Sequence, residues 1–256
     1  CAPQWGFSVP YNPFGFQYAN SGIATVGFIP FTDSINVDAR ELIFQMIPSL
    51  IPSRRYCASF FTNLADASRF GIDCMEIYVC VDSVGQTISN IVNPNFIPAS
   101  PGFPSQVRYK GGIISDTSNW IKIEGSFVAE GGEKYFYMGC LSKQINEVNT
   151  QWFTYNNIWP APGFDPHFSY YFIDDVSLYE LNKLPQAQNH AYNCAANTVT
   201  LKADTGFNFR WYYLPDTVNV LSTADTFVVD ASTAKNVLLR ATLCSTEFTD
   251  TVAVPK

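Results

Sequence analysis

Charge is scarce in this sequence: Asp, Glu, Lys and Arg make up 14% of its 256 residues, against roughly 25% in an average globular protein. That excludes a charge-laced helical bundle, a coiled coil and an intrinsically disordered chain. Basic residues are the scarcer sign. Lys and Arg number 15 against 22 Asp and Glu, giving a net charge of -7, a field that repels a phosphate backbone, so nucleic acid is excluded as a partner. Histidine is nearly missing. His167 and His190 stand alone beside Pro166 and Asn189 in stretches that read as solvated loops, and there is no HExxH and no histidine cluster. No GxSxG turn presents a serine, no glycine-rich loop is shaped for a phosphate, and no two cysteines form a CxxC pair, which excludes thiolate zinc knuckles. No apolar run approaches the roughly 18 residues that cross a bilayer, so no membrane span is expected. The opening Cys1-Ala2-Pro3-Gln4-Trp5 lacks the basic-then-apolar order of an export signal; in an exported protein that segment has already been removed.

Aromatic residues are what the chain has in excess, at 16%. Its cysteines, Cys1, Cys57, Cys74, Cys80, Cys140, Cys194 and Cys244, are widely scattered, a pattern that fits an oxidising compartment; their odd number leaves one thiol unpaired or paired outside the chain. Short aromatic and β-branched runs broken by Pro, Gly, Asn and Asp predict strands near Ala24–Phe31, Arg40–Ile47, Arg55–Thr62, Cys74–Val81, Trp120–Val128, Lys134–Gly139 and Ser169–Leu181. The intervening segments from Gly85 to Gln106 and from Ser142 to Phe168 are too long for hairpin turns and read as surface loops or crossovers. In the last strand, strict alternation puts Tyr170, Phe172, Val176 and Leu178 on one face and Tyr171, Ile173, Ser177 and Tyr179 on the other. Asp174 then falls on the more aliphatic face.

From Lys183 to Asn189 the strand pattern gives way to a polar, proline-containing stretch that reads as a linker. We place the domain boundary there, with one domain at 1–183 and a second at 184–256. Beyond it, Thr198–Ala203, Phe207–Tyr213, Thr226–Val229, Val237–Leu243 and Thr249–Val254 have the length and spacing of a small β-sandwich. Cys194 lies just before an early strand and Cys244 just after a late one. A small sandwich would bring those positions to one end, so a Cys194–Cys244 disulfide is expected, closing about 50 residues and worth up to roughly 4 kcal/mol. The alternative is two buried thiols.

Several ordered pieces carry a resemblance to a known family. They are Val9-Pro10-Tyr11-Asn12-Pro13-Phe14-Gly15-Phe16-Gln17 with Asn20-Ser21-Gly22, then Arg55-Tyr56-Cys57-Ala58-Ser59-Phe60 and Asn63-Leu64-Ala65-Asp66-Ala67-Ser68-Arg69-Phe70. Trp120, Ile123-Glu124-Gly125, Ala129-Glu130-Gly131-Gly132-Glu133-Lys134-Tyr135-Phe136 and Tyr170-Tyr171-Phe172-Ile173-Asp174-Asp175-Val176-Ser177-Leu178 complete the set. In this order they resemble a jelly-roll β-sandwich of the carbohydrate-binding-module type, in the version that recurs in large secreted and surface proteins of gliding, Bacteroidetes-type bacteria. The sequence departs from that pattern at Gly139-Cys140-Leu141, where Gly-Asn-Phe is usual, and the first strand of such modules is expected before Cys1. The tail, with Cys194 before Val199-Thr200-Leu201, Trp211 in Phe209-Arg210-Trp211-Tyr212, and Cys244 before Asp250-Thr251-Val252-Ala253-Val254, is similar to the Ig-like or PKD-like repeats of the same surface proteins. Thr242 stands where an antibody-type domain has a Tyr two residues before its second cysteine.

The expected fold is thus all-β, a jelly-roll sandwich followed by a small Ig-like sandwich. The resemblance implies a non-catalytic binding, adhesive or spacer role outside the cell, associated with the outer membrane of a Gram-negative bacterium, with a glycan or another cell-surface protein as partner. Its alternatives are a structural segment of a filament or type IX secretion cargo, and an accessory region of a larger enzyme or OmpA-like, peptidoglycan-tethered envelope protein. From the residues themselves, the most suggestive stretch is Gln151 to Trp159, where Trp152, Tyr155 and Trp159 are interleaved with Asn156 and Asn157. Rings stack on pyranose C–H groups while amides bond hydroxyls, the combination a sugar site needs; alternatively the two Trp rings pin the loop to the sandwich. Asp174 and Asp175 do not suit a glycosidase, because adjacent strand residues point to opposite faces and catalytic carboxyls must face one sugar from roughly 5–10 Å apart. Glu124, Glu130 and Glu133 read as solvated strand-end acids. A buried Asp174 requires compensation, by backbone N–H donors, by an Arg, or by a structural Ca²⁺ held with loop carbonyls. Calcium is the expectation, since jelly-roll modules of this kind often hold an ion near the closing strand.

Overall fold

The computed structural model describes residues 9–32, 40–84, 103–142, 147–153, 168–233 and 236–255. The chain is all-β, and it divides into two compact units, Cys1–Glu180 and Leu181–Lys256.

In the first unit β1 (Tyr11–Asn12) and β2 (Gly15–Phe16) form a small hairpin. Two four-stranded antiparallel sheets make the sandwich. One has the order β3 (Val26–Thr32), β12 (Phe168–Glu180), β5 (Arg55–Leu64), β9 (Ile121–Val128). The other has the order β4 (Ile43–Met46), β10 (Tyr135–Gly139), β7 (Glu76–Cys80), β8 (Val107–Arg108). A short pair, β6 (Phe70–Ile72) with β11 (Thr150–Trp152), stands beside them. Phe60, Ile123, Tyr171 and Ile173 of the first sheet and Ile77, Val79, Phe136 and Met138 of the second share one buried cluster. The period of two does the sorting: with Phe136 and Met138 turned inward, Tyr135 and Tyr137 go to the other face.

Polar groups in this core are matched. The Tyr171 hydroxyl donates to the Ile114 carbonyl at 2.7 Å and accepts from the Ile72 N–H at 2.9 Å, and burial pushes its pKa far up. Buried Glu76 accepts from the Ser105 hydroxyl at 2.7 Å and the Ser142 N–H at 2.8 Å, tying the segments after β7 and β10 to the sheet. A disulfide joins Cys74 to Cys140. Beside it the buried Arg40 donates to the Cys140 carbonyl at 3.1 Å, with its guanidinium 5.4 Å from the centre of the Phe31 ring.

The second unit is a smaller two-sheet sandwich. Its sheets are β13 (Ala187–Asn193), β14 (Thr198–Ala203), β16 (Thr226–Asp230) and β15 (Phe207–Tyr213), β17 (Asn236–Leu243), β18 (Thr246–Ala253), in those orders. Val199, Leu201, Val229, Val237 and Leu239 close around Trp211, whose indole N–H donates to the Ala224 carbonyl at 2.9 Å. Strand β13 begins at Ala187, inside the end of the stretch that the sequence marks as a linker, and His190 lies on this exposed edge strand instead of in a loop.

The expected Cys194–Cys244 bond is not formed: Cys194 carries a free, exposed thiol, and Cys244 is disulfide-bonded elsewhere. Strand direction explains the difference: the connection 214–225 carries the chain back so that β16 runs antiparallel to β14. Cys194 sits in the turn between β13 and β14, at the end where the Ala231 N–H bonds the Asn197 carbonyl. The chain enters β17 at that same end and reaches Cys244 only after eight residues, about 25 Å away at 3.3 Å per residue.

Candidate functional site

Two aromatic surfaces of the first unit stand out. The first is the outer face of the sheet containing β4 and β10. Register places Phe44 opposite Tyr137, Tyr137 opposite Tyr78, and Met46 opposite Tyr135, so alternate residues of neighbouring strands build one continuous apolar face. The Phe44 and Tyr137 rings stack at 5.5 Å and 28°, and Tyr135 and Tyr137 at 6.4 Å and 29°. Toward β7 this face is covered: Tyr137 is buried with Val84 and Leu141, and its hydroxyl accepts from the Val84 N–H at 3.0 Å. Toward the edge strand β4 it is open, with Phe44 57% and Met46 61% exposed. Lys134 stands 5.9 Å from the centre of the Tyr135 ring. The result is a strip of rings on a sheet base with Lys134 beside it, and neither Phe44 nor Tyr135 was among the candidate site residues read from the sequence. The alternation Tyr135-Phe136-Tyr137 was the available signal, since a strand with rings on both faces has one set facing away from the core.

The second surface is the β1–β2 hairpin and its continuation. Tyr11 and Phe16 meet edge to face at 4.7 Å, and Phe16 and Tyr18 at 5.1 Å. All three rings are exposed. Between them Phe14 turns inward and stacks on Tyr170 at 3.6 Å and 9°. Gly15 lies at φ 153°, and a Cβ there would meet the Asp66 carboxylate at 2.7 Å, so glycine is what lets that carboxylate accept the Phe16 N–H at 2.8 Å.

The closing strand holds the same region from the other side. β12 carries a bulge between Asp174 and Ser177, with Asp175 at φ 49°, and the bulge reverses the alternation. Tyr171 and Ile173 face the core before it, and Leu178 packs against the core after it. Asp174 is accordingly half-buried on the outward side instead of buried on an aliphatic face. Its Oδ2 accepts from the backbone N–H groups of Asn20 at 2.7 Å and Ser21 at 3.2 Å, and its Oδ1 from the Asp175 N–H at 2.8 Å. Asp175 accepts from the Asn20 side-chain amide at 2.6 Å and from the Ser21 hydroxyl, and these bonds hold its pKa below the ordinary carboxylate value. Backbone donors thus supply the compensation expected from calcium. Three backbone N–H groups compensate the carboxylate, two on Oδ2 and one on Oδ1.

Of the five residues proposed for the sugar site, Trp152 alone is described; Tyr155, Asn156, Asn157 and Trp159 lie outside the described residues, as does His167. Trp152 ends β11, leans on Phe70 at 4.8 Å and remains 50% exposed, so it both anchors and presents a ring. Glu133 is a correction: it is buried, and its carboxylate accepts the backbone N–H groups of Glu130 at 2.7 Å and Gly131 at 2.9 Å, capping a turn instead of facing solvent. Burial, reinforced by Asp82, pushes the Cys80 thiol up to about 11, so it remains protonated and a poor nucleophile.

No protein-family model matches this chain and no curated protein matches it. No helix among the described residues is long and apolar enough to cross a membrane.

Proposed function

We propose that this chain is a non-catalytic extracellular module that binds neutral glycans through the exposed strip on β4 and β10. The exposed Phe44 ring, held parallel to Tyr137 on a three-strand base, is the observation that carries the reading. A ring fixed in that way offers its face to the C–H groups of a sugar at little cost in side-chain entropy. Lys134 beside Tyr135 adds one donor to the strip, and stacking and hydrogen bonds supply recognition. Disulfide bonding of Cys74 and Cys140 supports the oxidising, extracellular setting, and the resemblance to carbohydrate-binding jelly rolls points to the same ligand class.

Affinity electrophoresis of the full chain through gels containing cellulose derivatives, xylan or soluble chitin derivatives tests this. Retardation by at least one of these polymers is expected, with Phe44→Ala losing tenfold or more in affinity at unchanged melting temperature. Equal retardation of wild type and Phe44→Ala, or no retardation in any gel, would remove the strip as a glycan site.

A further inference from the structure

The N-terminal hairpin differs from the glycan strip in both geometry and charge. Its rings meet edge to face, so edges and faces alternate along the surface instead of forming a plane. It is also tightly held. The Gln17 N–H bonds the Pro10 carbonyl at 2.8 Å, the Ala67 N–H bonds the Phe14 carbonyl at 2.8 Å, and the Trp120 indole N–H bonds the Tyr18 carbonyl at 3.1 Å. Three exposed rings on so constrained a backbone form a preorganised apolar surface, of the kind that supplies energy at interfaces.

Carboxylates border it. Asp66 is exposed and bonds the Phe16 N–H through Oδ2, while Asp174 and Asp175 hold Asn20 and Ser21, two and three residues beyond Tyr18. None of the three forms an ion pair among the described residues, where the recorded pairs involve Glu76, Glu124, Glu180, Asp204 and Glu247. Hydrogen bonds to Asp175 keep it ionised. The rings therefore lie beside carboxylates, whereas the glycan strip has Lys134 beside Tyr135.

We propose that the hairpin surface of Tyr11, Phe16 and Tyr18, bordered by Asp66, Asp174 and Asp175, is a docking site for an arginine-bearing extended segment of a partner protein. Such a side chain matches both features at once. Its guanidinium stacks on a tyrosine face and pairs with a carboxylate, while its methylene stem covers the neighbouring ring. A neutral sugar would leave the carboxylates unmatched, and an anionic partner would be repelled.

Fluorescence anisotropy with a labelled peptide of alternating arginine and glycine, titrated with the full chain at low salt, tests the proposal. The same peptide with citrulline in place of arginine keeps shape and hydrogen-bonding capacity while removing charge. Saturable binding of the arginine peptide is expected, at least tenfold tighter than the citrulline peptide. Tyr18→Ala should weaken it tenfold or more, and Asp66→Asn several-fold, whereas Phe44→Ala should leave it unchanged. Tyr18 is 65% exposed, so its truncation should not disturb folding, and an unchanged circular dichroism melt checks this. Equal affinity for the two peptides, no binding, or equal weakening by Phe44→Ala would overturn the proposal. Concentration-dependent self-association abolished by Tyr18→Ala would overturn it in favour of a second copy as occupant.

Discussion

The two units enclose sandwich cores of the same kind but place their aromatic residues differently. In the second unit the largest ring, Trp211, is at the centre of the core, with Phe227 6.0 Å away. Its exposed rings, Tyr192 and Phe207, stand apart from other rings among the described residues. In the first unit rings occupy both faces of a sheet, and two groups of them remain in contact with solvent. Exposed aromatic surface adds nothing to folding, and contiguous patches of it mark sites of interaction. The first unit is therefore where recognition is expected, and the second closes its core around Trp211.

Removing that residue should give the largest effect. Trp211→Ala empties the centre of the second unit and leaves the Ala224 carbonyl without its indole donor, so a loss of about 5 kcal/mol is expected. Hydrogen exchange followed by mass spectrometry should show β14, β17 and β18 losing protection while β5 and β12 keep theirs. A comparable loss in β5 would break the contrast, because it would make the two cores one cooperative structure. The converse test is the Cys74–Cys140 bond, which closes a separation of 66 residues in the first unit. Cys74→Ala with Cys140→Ala should destabilise β5, β7 and β10 by about 4 kcal/mol on a chain-entropy estimate, leaving the second unit's protection unchanged.

Much of this contrast was legible in the sequence. Strands β5, β9, β10 and β12 fall within a residue or two of the runs that predict them, because each carries bulky apolar residues at regular spacing and buries them. β14 and β15 coincide with Thr198–Ala203 and Phe207–Tyr213. β13 was hidden because it buries almost nothing: Gln188, Asn189 and His190 lie along an exposed sheet edge, where backbone pairing alone makes a strand. The wrong cysteine pairing has another source, the connection 214–225, after which β16 runs antiparallel to β14 and leaves Cys194 and Cys244 at opposite ends. The bulge at Asp174–Ser177 was equally invisible, since alternation assumes that one residue always advances one face, and the inserted residue reversed the assignment of Asp174 and Leu178. The exposed strip was missed for a different reason. Phe44 and Tyr137 fall in runs that predict strands without saying which face each ring takes, and only the register showed that they share one.

The smallest expected effect concerns the acids that pin loops in each unit. In the first, hydrogen bonds from Ser21 and then Asn20 lower the pKa of Asp175; in the second, the Asn219 side chain and then the Val218 N–H lower that of Asp216. A carboxylate whose folded pKa lies below its unfolded value, about 3.9, contributes its full stabilisation above that value and loses it as pH falls through the folded pKa. Both groups are exposed, so each contribution is small. The melting temperatures of the two units should accordingly be unaffected by these groups between about pH 5 and 8 and decline together below about pH 4. Asp175→Asn keeps an acceptor for Ser21 but cannot titrate, so it should soften the acid decline of the first unit alone. EGTA at pH 7 should change neither melting temperature, because Asp174 is satisfied by the N–H groups of Asn20, Ser21 and Asp175. A fall in the first unit's melting temperature with EGTA, reversed by added calcium, would show that an ion and not these amides holds the loop. The acid decline would then have to be reassigned to protonation of that ion's ligands.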